Sequence, residues 1–270
     1  MKGSRAEKQD LKIAATIEAR MGSSRLPGKV LLPANGRPIL AHMLERLRRV
    51  PSIGTIVVAT TGNERDDDLE AFAASEGVQC FRGSEDDVMA RVVGAGESVG
   101  ADVLVGFTGD CPLVDPQIVE QTIQMFLHNT CEYVSTGYIP SYPAGVGDNH
   151  VFFLDTLRRS RDMSDDPDDR ENVGMHIHNH PELFSQIYLV GPADLSWPEL
   201  QLLLDTKADY ELLKRVIEHF GDTNPTFGCA EILALFRANP DWLEINKTVV
   251  RNEVADGRPD RAAINAERPN

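Results

Sequence analysis

Lys12-Ile13-Ala14-Ala15-Thr16-Ile17-Glu18-Ala19-Arg20-Met21-Gly22-Ser23-Ser24-Arg25-Leu26-Pro27-Gly28-Lys29 joins a short β-rich apolar run, residues 12–17, to a loop of glycine, serine, proline and cations. A strand that empties into such a loop offers backbone N–H groups, and its two glycines let a phosphate chain approach closely. Downstream, Pro38 opens a helical pattern through Leu47, as proline does at a first helical position. Continuous apolar character predicts a buried strand over 55–60. Asn63 then caps a helix to about Ser75, 78–81 is a strand, and Ser84 caps a helix to Val99. A strand over 103–107 ends in Thr108-Gly109-Asp110-Cys111-Pro112, and a helix over 117–127 follows Asp115-Pro116. Four strand–helix alternations with short links predict an α/β fold: a mostly parallel sheet covered on both faces.

After Glu132-Tyr133-Val134 the rhythm breaks. Residues 139–149 are rich in proline, glycine and tyrosine, and the acidic run 164–169 is expected to be mobile. The region of about 136–185 is expected as an insertion over one end of the sheet. Apolar runs at 186–190 and 200–204 suggest further strands, before helices over 208–220 and 231–236. A flexible N-terminus (1–10), one domain (11–250) and a disordered, aperiodic charged tail (251–270) complete the organisation.

The 270 residues carry a formal net charge of −15, which argues against nucleic acid as a partner and makes any local cluster of cations informative. No apolar run reaches the ~20 residues that span a bilayer, so no membrane partner is expected. The polar residues 1–10 lack the apolar core of a signal peptide, and the expected location is cytoplasmic. Cys80, Cys111, Cys131 and Cys229 are too dispersed for a zinc site and read as reduced thiols. The basic run Arg46 to Arg49 on the first helix is expected to be a solvated face.

Arg20, Arg25 and Lys29 fall within one short loop. The loop is not a Walker A motif: five residues separate Gly22 from Gly28, Pro27 lies inside, and Val30 stands where a metal-binding hydroxyl is required. Asp110 and Asp205 each follow an apolar run, at the strand ends where ligands gather in open α/β sheets. Two such carboxylates suit one Mg²⁺, which favours carboxylates, water and substrate phosphates. His176, His178 and His180 would share a face on a strand but not on a helix, and Val173 and Ile177 allow a helix. Gly94-Ala95-Gly96 does not complete a dinucleotide fingerprint. Cys111 has no assignable base and makes a poor nucleophile.

Beyond these features, the stretch from Glu18 to Leu31 resembles the signature of the cytidylyltransferase family, which includes the CMP-sugar-acid synthetases and the SpsF-like spore-coat polysaccharide proteins. Further similarities follow in order: Ile56-Val-Val-Ala-Thr-Thr, Phe81-Arg-Gly-Ser-Glu-Asp-Asp-Val, Thr108-Gly-Asp-Cys-Pro-Leu-Val-Asp-Pro, Arg170-Glu-Asn-Val, Leu203-Leu-Asp-Thr-Lys-Ala-Asp-Tyr-Glu-Leu and Glu244-Ile-Asn-Lys. The resemblance implies a three-layer α/β/α sandwich of the nucleotide-diphosphosugar-transferase kind, a homodimer formed through the middle region, and Mg²⁺ held by Asp110 and Asp205. Arg20, Ser23, Arg25 and Lys29, with Gly22, would contact the triphosphate. Ala19, Arg82, Asp87 and Arg91 would border base and ribose. Tyr142, Asp148, His150, Arg170, Glu171 and Asn172 would line the acceptor pocket.

The implied reaction is transfer of a nucleotidyl group, from CTP by family expectation, to a sugar acid, sugar phosphate or small phosphate or phosphonate, with pyrophosphate released. Arg25, Lys29 and Asp110 would carry the catalysis. One departure stands out: the relatives carry a glutamate where this chain has His150, within Gly145-Val-Gly-Asp148-Asn-His150. An imidazole there suits a phosphate or carboxylate and titrates near ~6.5. The alternative is a non-catalytic nucleotide-binding protein of the same fold.

Overall fold

The computed structural model describes residues 11–221 and 223–250; the expected flexible N-terminus and disordered tail lie outside these. In chain order the strands are β1 (Ile13–Glu18), β2 (Pro33–Ala34), β3 (Arg37–Pro38), β4 (Thr55–Thr61), β5 (Gln79–Gly83), β6 (Val103–Thr108), β7 (Tyr133–Ser135), β8 (His150–Phe153) and β9 (Gln186–Tyr188). The helices are α1 (Ile39–Leu47), α2 (Asp67–Ser75), α3 (Val88–Ser98), α4 (Pro116–His128), α5 (Leu154–Met163), α6 (Pro167–Glu171), α7 (Met175–Asn179), α8 (Lys207–Phe220) and α9 (Cys229–Ala238).

Seven strands form one sheet in the order β5-β4-β1-β6-β8-β7-β9. β1 pairs in parallel with both β4 and β6, and β4 with β5. That central position explains why β1 shows no polar alternation: both of its faces are covered. Ile13, Ala15 and Ile17 pack with residues of α1, α2 and α4, whereas Ala14 joins a cluster built by α3, α5 and α7. The sheet therefore lies between two helical layers, the expected α/β/α sandwich. A third cluster, around α8, α9 and Leu200, Leu202 and Leu204, closes one flank.

Four local expectations change. The middle region does not merely cover the sheet. Its residues His150–Phe153 are β8, antiparallel to both β6 and β7. The run 200–204 is not a sheet strand; it makes a lone bridge, Ala144 to Gln201, and buries alternate leucines in the flank cluster. The acidic run 164–169 is ordered at its end by α6, where Asp166 accepts from Asp168 N–H and Pro167 takes the first turn. Arg46 is not solvated. It is buried, with Nε donating to Val114 O at 2.8 Å, a terminal nitrogen to Phe227 O at 2.7 Å, and its guanidinium 4.3 Å from the Phe227 ring centroid. A smaller shift concerns α3, which is capped by Asp87, accepting from Ala90 N–H, and not by Ser84. All four cysteines are free thiols. Among the described residues no helix is long and apolar enough to cross a membrane.

Candidate active site

The loop after β1 is closed by its own backbone: Gly28 N–H donates to Met21 O at 3.0 Å. Gly28 has a left-handed φ of 69°, a conformation that favours glycine, and releases the chain into a 3-10 turn at Lys29–Leu31. Both ends of the loop are anchored. Ala19 N–H donates to Ala59 O at 3.3 Å, and Met21 N–H to Asp66 Oδ1 at 2.7 Å. Asp66 is fully buried and held in turn by Thr61. These donors keep its carboxyl below the usual range in spite of burial. Within the loop, Ser23 Oγ accepts from Leu26 N–H at 3.4 Å. Gly22 runs against the Arg65 guanidinium, where a Cβ would come within 2.8 Å of Cζ.

Lys29 and Arg25 project toward two acids. Lys29 Nζ lies 2.9 Å from Asp205 Oδ1 and 3.8 Å from Asp110 Oδ2; Arg25 reaches Asp205 Oδ2 at 3.1 Å. The acids converge because Leu204 N–H donates to Asp110 O at 2.8 Å, tying the extended segment to the turn after β6. Asp110 is steadied by Thr108 Oγ at 2.5 Å. Asp205 precedes a capping box in which Thr206 and the buried Asp209 start α8. Two carboxylates and two cations thus meet at the loop, and Lys29 is largely shielded from solvent. Next to Asp110, burial pushes the Cys111 thiol well up, reinforced by the Asp110 and Asp148 charges, so it stays protonated and is a poor nucleophile.

The opposite wall is formed by β5, the start of α3 and the end of β1. Arg20 lies 3.6 Å from Glu85. Arg82 turns to α2, pairing with Asp67 at 2.6 Å and Glu70 at 2.9 Å, and donating to the carbonyls of Thr61 and Asn63. Arg91 is buried with its guanidinium donating to the carbonyls of Ser84 and Glu85, and its Nε has no partner among the described residues. Glu18, which the sequence reading passed over as a site residue, ends β1 alongside Thr108. Desolvation raises its carboxyl to about 8; Arg91 opposes the shift and Asp110 adds to it. Its only signal in the sequence is an acid at the end of an apolar strand.

The residues assigned to the acceptor side divide. Arg170 pairs with Asp87 at 2.8 Å and so joins α6 to the cap of α3. Asn172 caps α6 by donating to Asp168 O, and Glu171 is exposed. Tyr142 is buried in the flank cluster, against the backbones of Gly147 and Gly191. Asp148 Oδ2 accepts from Gly145 N–H at 2.6 Å. His150 sits on β8 opposite Gly106 of β6 and Ser135 of β7. Around it stand phenols and an imidazole that no motif announced. Tyr133 Oη lies 2.6 Å from His150 Nδ1, Tyr138 stacks on His178 at 3.8 Å and 4°, and His178 Nδ1 is 2.5 Å from Tyr188 Oη. His176, His178 and His180 lie on α7, a helix; His176 bonds Asp169 and His180 bonds Glu182. Among the described residues no three His, Cys, Asp or Glu side chains converge as a metal site.

Residues 14–252 match the family model described as Cytidylyltransferase. The spore coat polysaccharide biosynthesis protein SpsF of Bacillus subtilis is 35% identical over 229 residues, covering 83% of this chain and 94% of that protein. An 8-amino-3,8-dideoxy-manno-octulosonate cytidylyltransferase of Shewanella amazonensis is 32% identical over 150 residues, 52% of this chain and 59% of its own. Among solved structures, a cytidylyltransferase from Leptospira borgpetersenii superposes with a TM-score of 0.82 at 32% identity, over 89% of this chain and 100% of that one. A CMP:2-keto-3-deoxy-manno-octonic acid synthetase complexed with CTP shares the fold, with a TM-score of 0.56 at 20% identity over 77% and 99% of the two chains. With the family model matched over nearly the whole described chain and a relative 35% identical over 83% of it, this protein belongs to the cytidylyltransferase family.

Proposed function

We propose that the chain transfers a cytidylyl group from CTP to a hydroxyl of a sugar-acid acceptor. The acceptor oxygen attacks the α-phosphorus, the bond from the α-phosphorus to the oxygen bridging it to the β-phosphate breaks, pyrophosphate leaves, and the hydroxyl proton passes to solvent. The observation that carries this reading is the convergence of Lys29 and Arg25 on Asp110 and Asp205 at the mouth of the β1 loop. Support for the acceptor class comes from relatives named for sugar-acid cytidylyl transfer.

Phosphoryl chemistry of this kind is catalysed mainly by positioning and charge stabilisation. Lys29 and Arg25 would neutralise charge gathering on the departing pyrophosphate. The loop N–H groups between Met21 and Gly28 would cradle the phosphate chain. Asp110 and Asp205 fit Mg²⁺: they are two carboxylates brought to a common cation, here the Lys29 ammonium, with no third acid among the described residues to complete an all-protein cage. When bound there, Mg²⁺ would supply Lewis-acid stabilisation of phosphate charge.

The test is pyrophosphate release with each of the four nucleoside triphosphates against a panel of sugar acids, sugar phosphates and phosphonates. The expected result is release that requires CTP and a sugar acid. Equal rates with all four triphosphates, or release only with non-sugar acceptors, overturns the reading.

A further inference from the structure

A cavity of about 130 Å³ lies between α1, the end of α8 and the segments 112–113 and 225–227. That volume admits a small ion but not a nucleotide or a sugar, whose pockets run to roughly 300–1,000 Å³. None of the residues assigned to cytidylyl transfer lines it.

Its lining is basic in an acidic chain. Among the described residues, Arg37, Arg46 and Arg49 line it against a single carboxylate, Glu45. Glu45 is held between two of them: Arg37 donates to Oε2 and Arg49 to Oε1, each at 2.7 Å. One carboxylate cannot balance three guanidiniums, and against a net charge of −15 for the chain this local excess of positive charge favours an anion.

Arg46 supplies the open position. It is only 4% exposed, and its Nε and Nη2 donate to Val114 O and Phe227 O. Its Nη1 also borders the cavity side chain set, yet has no hydrogen-bond partner among the described residues. Burial lowers the guanidinium to about 10, so it stays charged at neutral pH. Asp115, the chief charge opposing that shift, gives its oxygens to the N–H groups that start α4 and α9. A buried cation with an unused donor calls for an acceptor.

His42 sets the protonation of the occupant. Its Nε2 lies 2.8 Å from Ala34 O, a carbonyl that can only accept, so Nε2 carries the proton. Desolvation lowers the imidazole below its ordinary value, with the Ala34 contact opposing and Arg37 adding. The ring is therefore neutral at pH 7, and Nδ1 is an acceptor with no partner among the described residues. A ligand in the cavity meets guanidinium donors together with two kinds of acceptor, the His42 imidazole and the Glu45 carboxylate. Hydrogen phosphate answers both, because its oxygens accept and its remaining O–H donates. Sulfate has no proton at neutral pH and meets Glu45 as a bare like charge.

The cavity also touches both segments that carry the acids. Pro112 and Leu113 follow directly on Asp110-Cys111, while Ile217 and Gly221 lie at the end of α8, whose start follows Asp205. We infer that this cavity is a second anion site, separate from the β1 loop. It binds one hydrogen phosphate through Arg46 and the flanking Arg37 and Arg49, with the phosphate O–H donating to His42 Nδ1. The assignment does not depend on the transfer reading, since it uses none of the residues of that site. The bound ion ties α1 to the end of α8 and to the segment after Asp110.

The test is isothermal titration calorimetry of the full chain with inorganic phosphate at neutral pH and constant ionic strength, without nucleotide. Lys29→Ala is the background, because it removes a cation from the β1 loop and leaves the cavity untouched. This variant is expected to bind one phosphate. Adding Arg49→Gln or Arg37→Gln weakens binding about tenfold, the loss expected for one charge-assisted contact. Both arginines are partly exposed, so the fold is expected to survive, and circular dichroism checks it; Arg46 is left intact because it holds two interior carbonyls. Sulfate is expected to bind the Lys29→Ala chain at least tenfold more weakly than phosphate. No binding of millimolar phosphate to Lys29→Ala, or an affinity unchanged by both cavity substitutions, overturns the site. Sulfate binding as tightly as phosphate overturns the role given to His42.

Discussion

The Lys29 ammonium stands 2.9 Å from the Asp205 carboxylate, a contact between residues 176 apart in the chain. It is made by the 3-10 turn after Gly28 on one side and the start of α8 on the other. Lys29→Ala, Asp110→Asn and Asp205→Asn are each expected to lower kcat by about 10²–10³. Circular dichroism should show the fold retained. Chelation by EDTA should stop pyrophosphate release and added Mg²⁺ restore it. Near-wild-type turnover in Lys29→Ala and Asp110→Asn would remove the basis for the proposed chemistry.

Asp87 does two jobs with its two oxygens: Oδ1 caps α3 at Ala90 N–H and Oδ2 meets Arg170 at 2.8 Å. α6 is thereby tied to the wall that Arg20, Glu85 and Arg91 build. A double-mutant cycle with Asp87→Ala and Arg170→Ala should give a coupling energy of about 0.5–1 kcal/mol in thermal stability, modest because both groups keep solvent contact. Arg170→Ala should also raise acceptor KM more than CTP KM. Strictly additive stability effects would show that the pair is incidental.

Glu18 sets a pH dependence of known sign. Its carboxyl is raised from 4.5 to about 8 in the folded chain, chiefly by desolvation. Between those values the unfolded chain has released this proton and the folded one has kept it, so folding becomes less favourable as pH rises through the window and levels off above it. Glu18→Gln removes the penalty. Melting temperatures of the two proteins should therefore agree most closely near pH 4.5 and diverge in favour of the variant up to about pH 8. Parallel curves across that range would mean that Glu18 is ionised in the folded protein.

The features legible in the sequence were those that local chemistry decides. Val57, Val58, Val103 and Val105 mark buried parallel strands because both faces are covered, and Asp115-Pro116 marks a helix start because the proline needs no N–H partner. The β1 loop and Asp110 were visible as residue types at strand ends, and Asp205 as an acid after an apolar run that the structure leaves outside the sheet. What long-range packing decides was hidden. Arg46 looks like any surface arginine until the Val114 and Phe227 carbonyls supply its partners from distant segments. The run 200–204 has strand-like alternation, yet its hydrogen bonds go to Ala144 and Asp110, outside the sheet. Tyr133 of β7 and Tyr138 of the segment after it reach His150 of β8, and His178 of α7 and Tyr188 of β9 pack on Tyr138 in turn. No spacing rule could have assembled them.

Asp115 shows how a short stretch beyond Asp110 holds two helices at once. It is buried, and its Oδ1 accepts from Gln117 N–H at 2.7 Å and Ile118 N–H at 3.4 Å to begin α4. Its Oδ2 accepts from Cys229 N–H at 2.6 Å at the start of α9. The approach depends on Gly228, where a Cβ would lie 2.6 Å from Oδ2. Asp115→Ala removes one cap and leaves the buried Cys229 N–H without an acceptor, a loss of about 3 kcal/mol. At roughly 2–4 °C per kcal/mol for a chain of this size, the transition should fall by about 6–12 °C. Gly228→Ala should lower it as well, by driving the carboxylate off the helix start, whereas Gly36→Ala, where nothing lies within 4 Å of the new Cβ, tests backbone strain alone at its φ of 74°. Calorimetry on the three variants separates these causes: a fall in Gly228→Ala no larger than in Gly36→Ala would mean that the Asp115 approach to α9 contributes little.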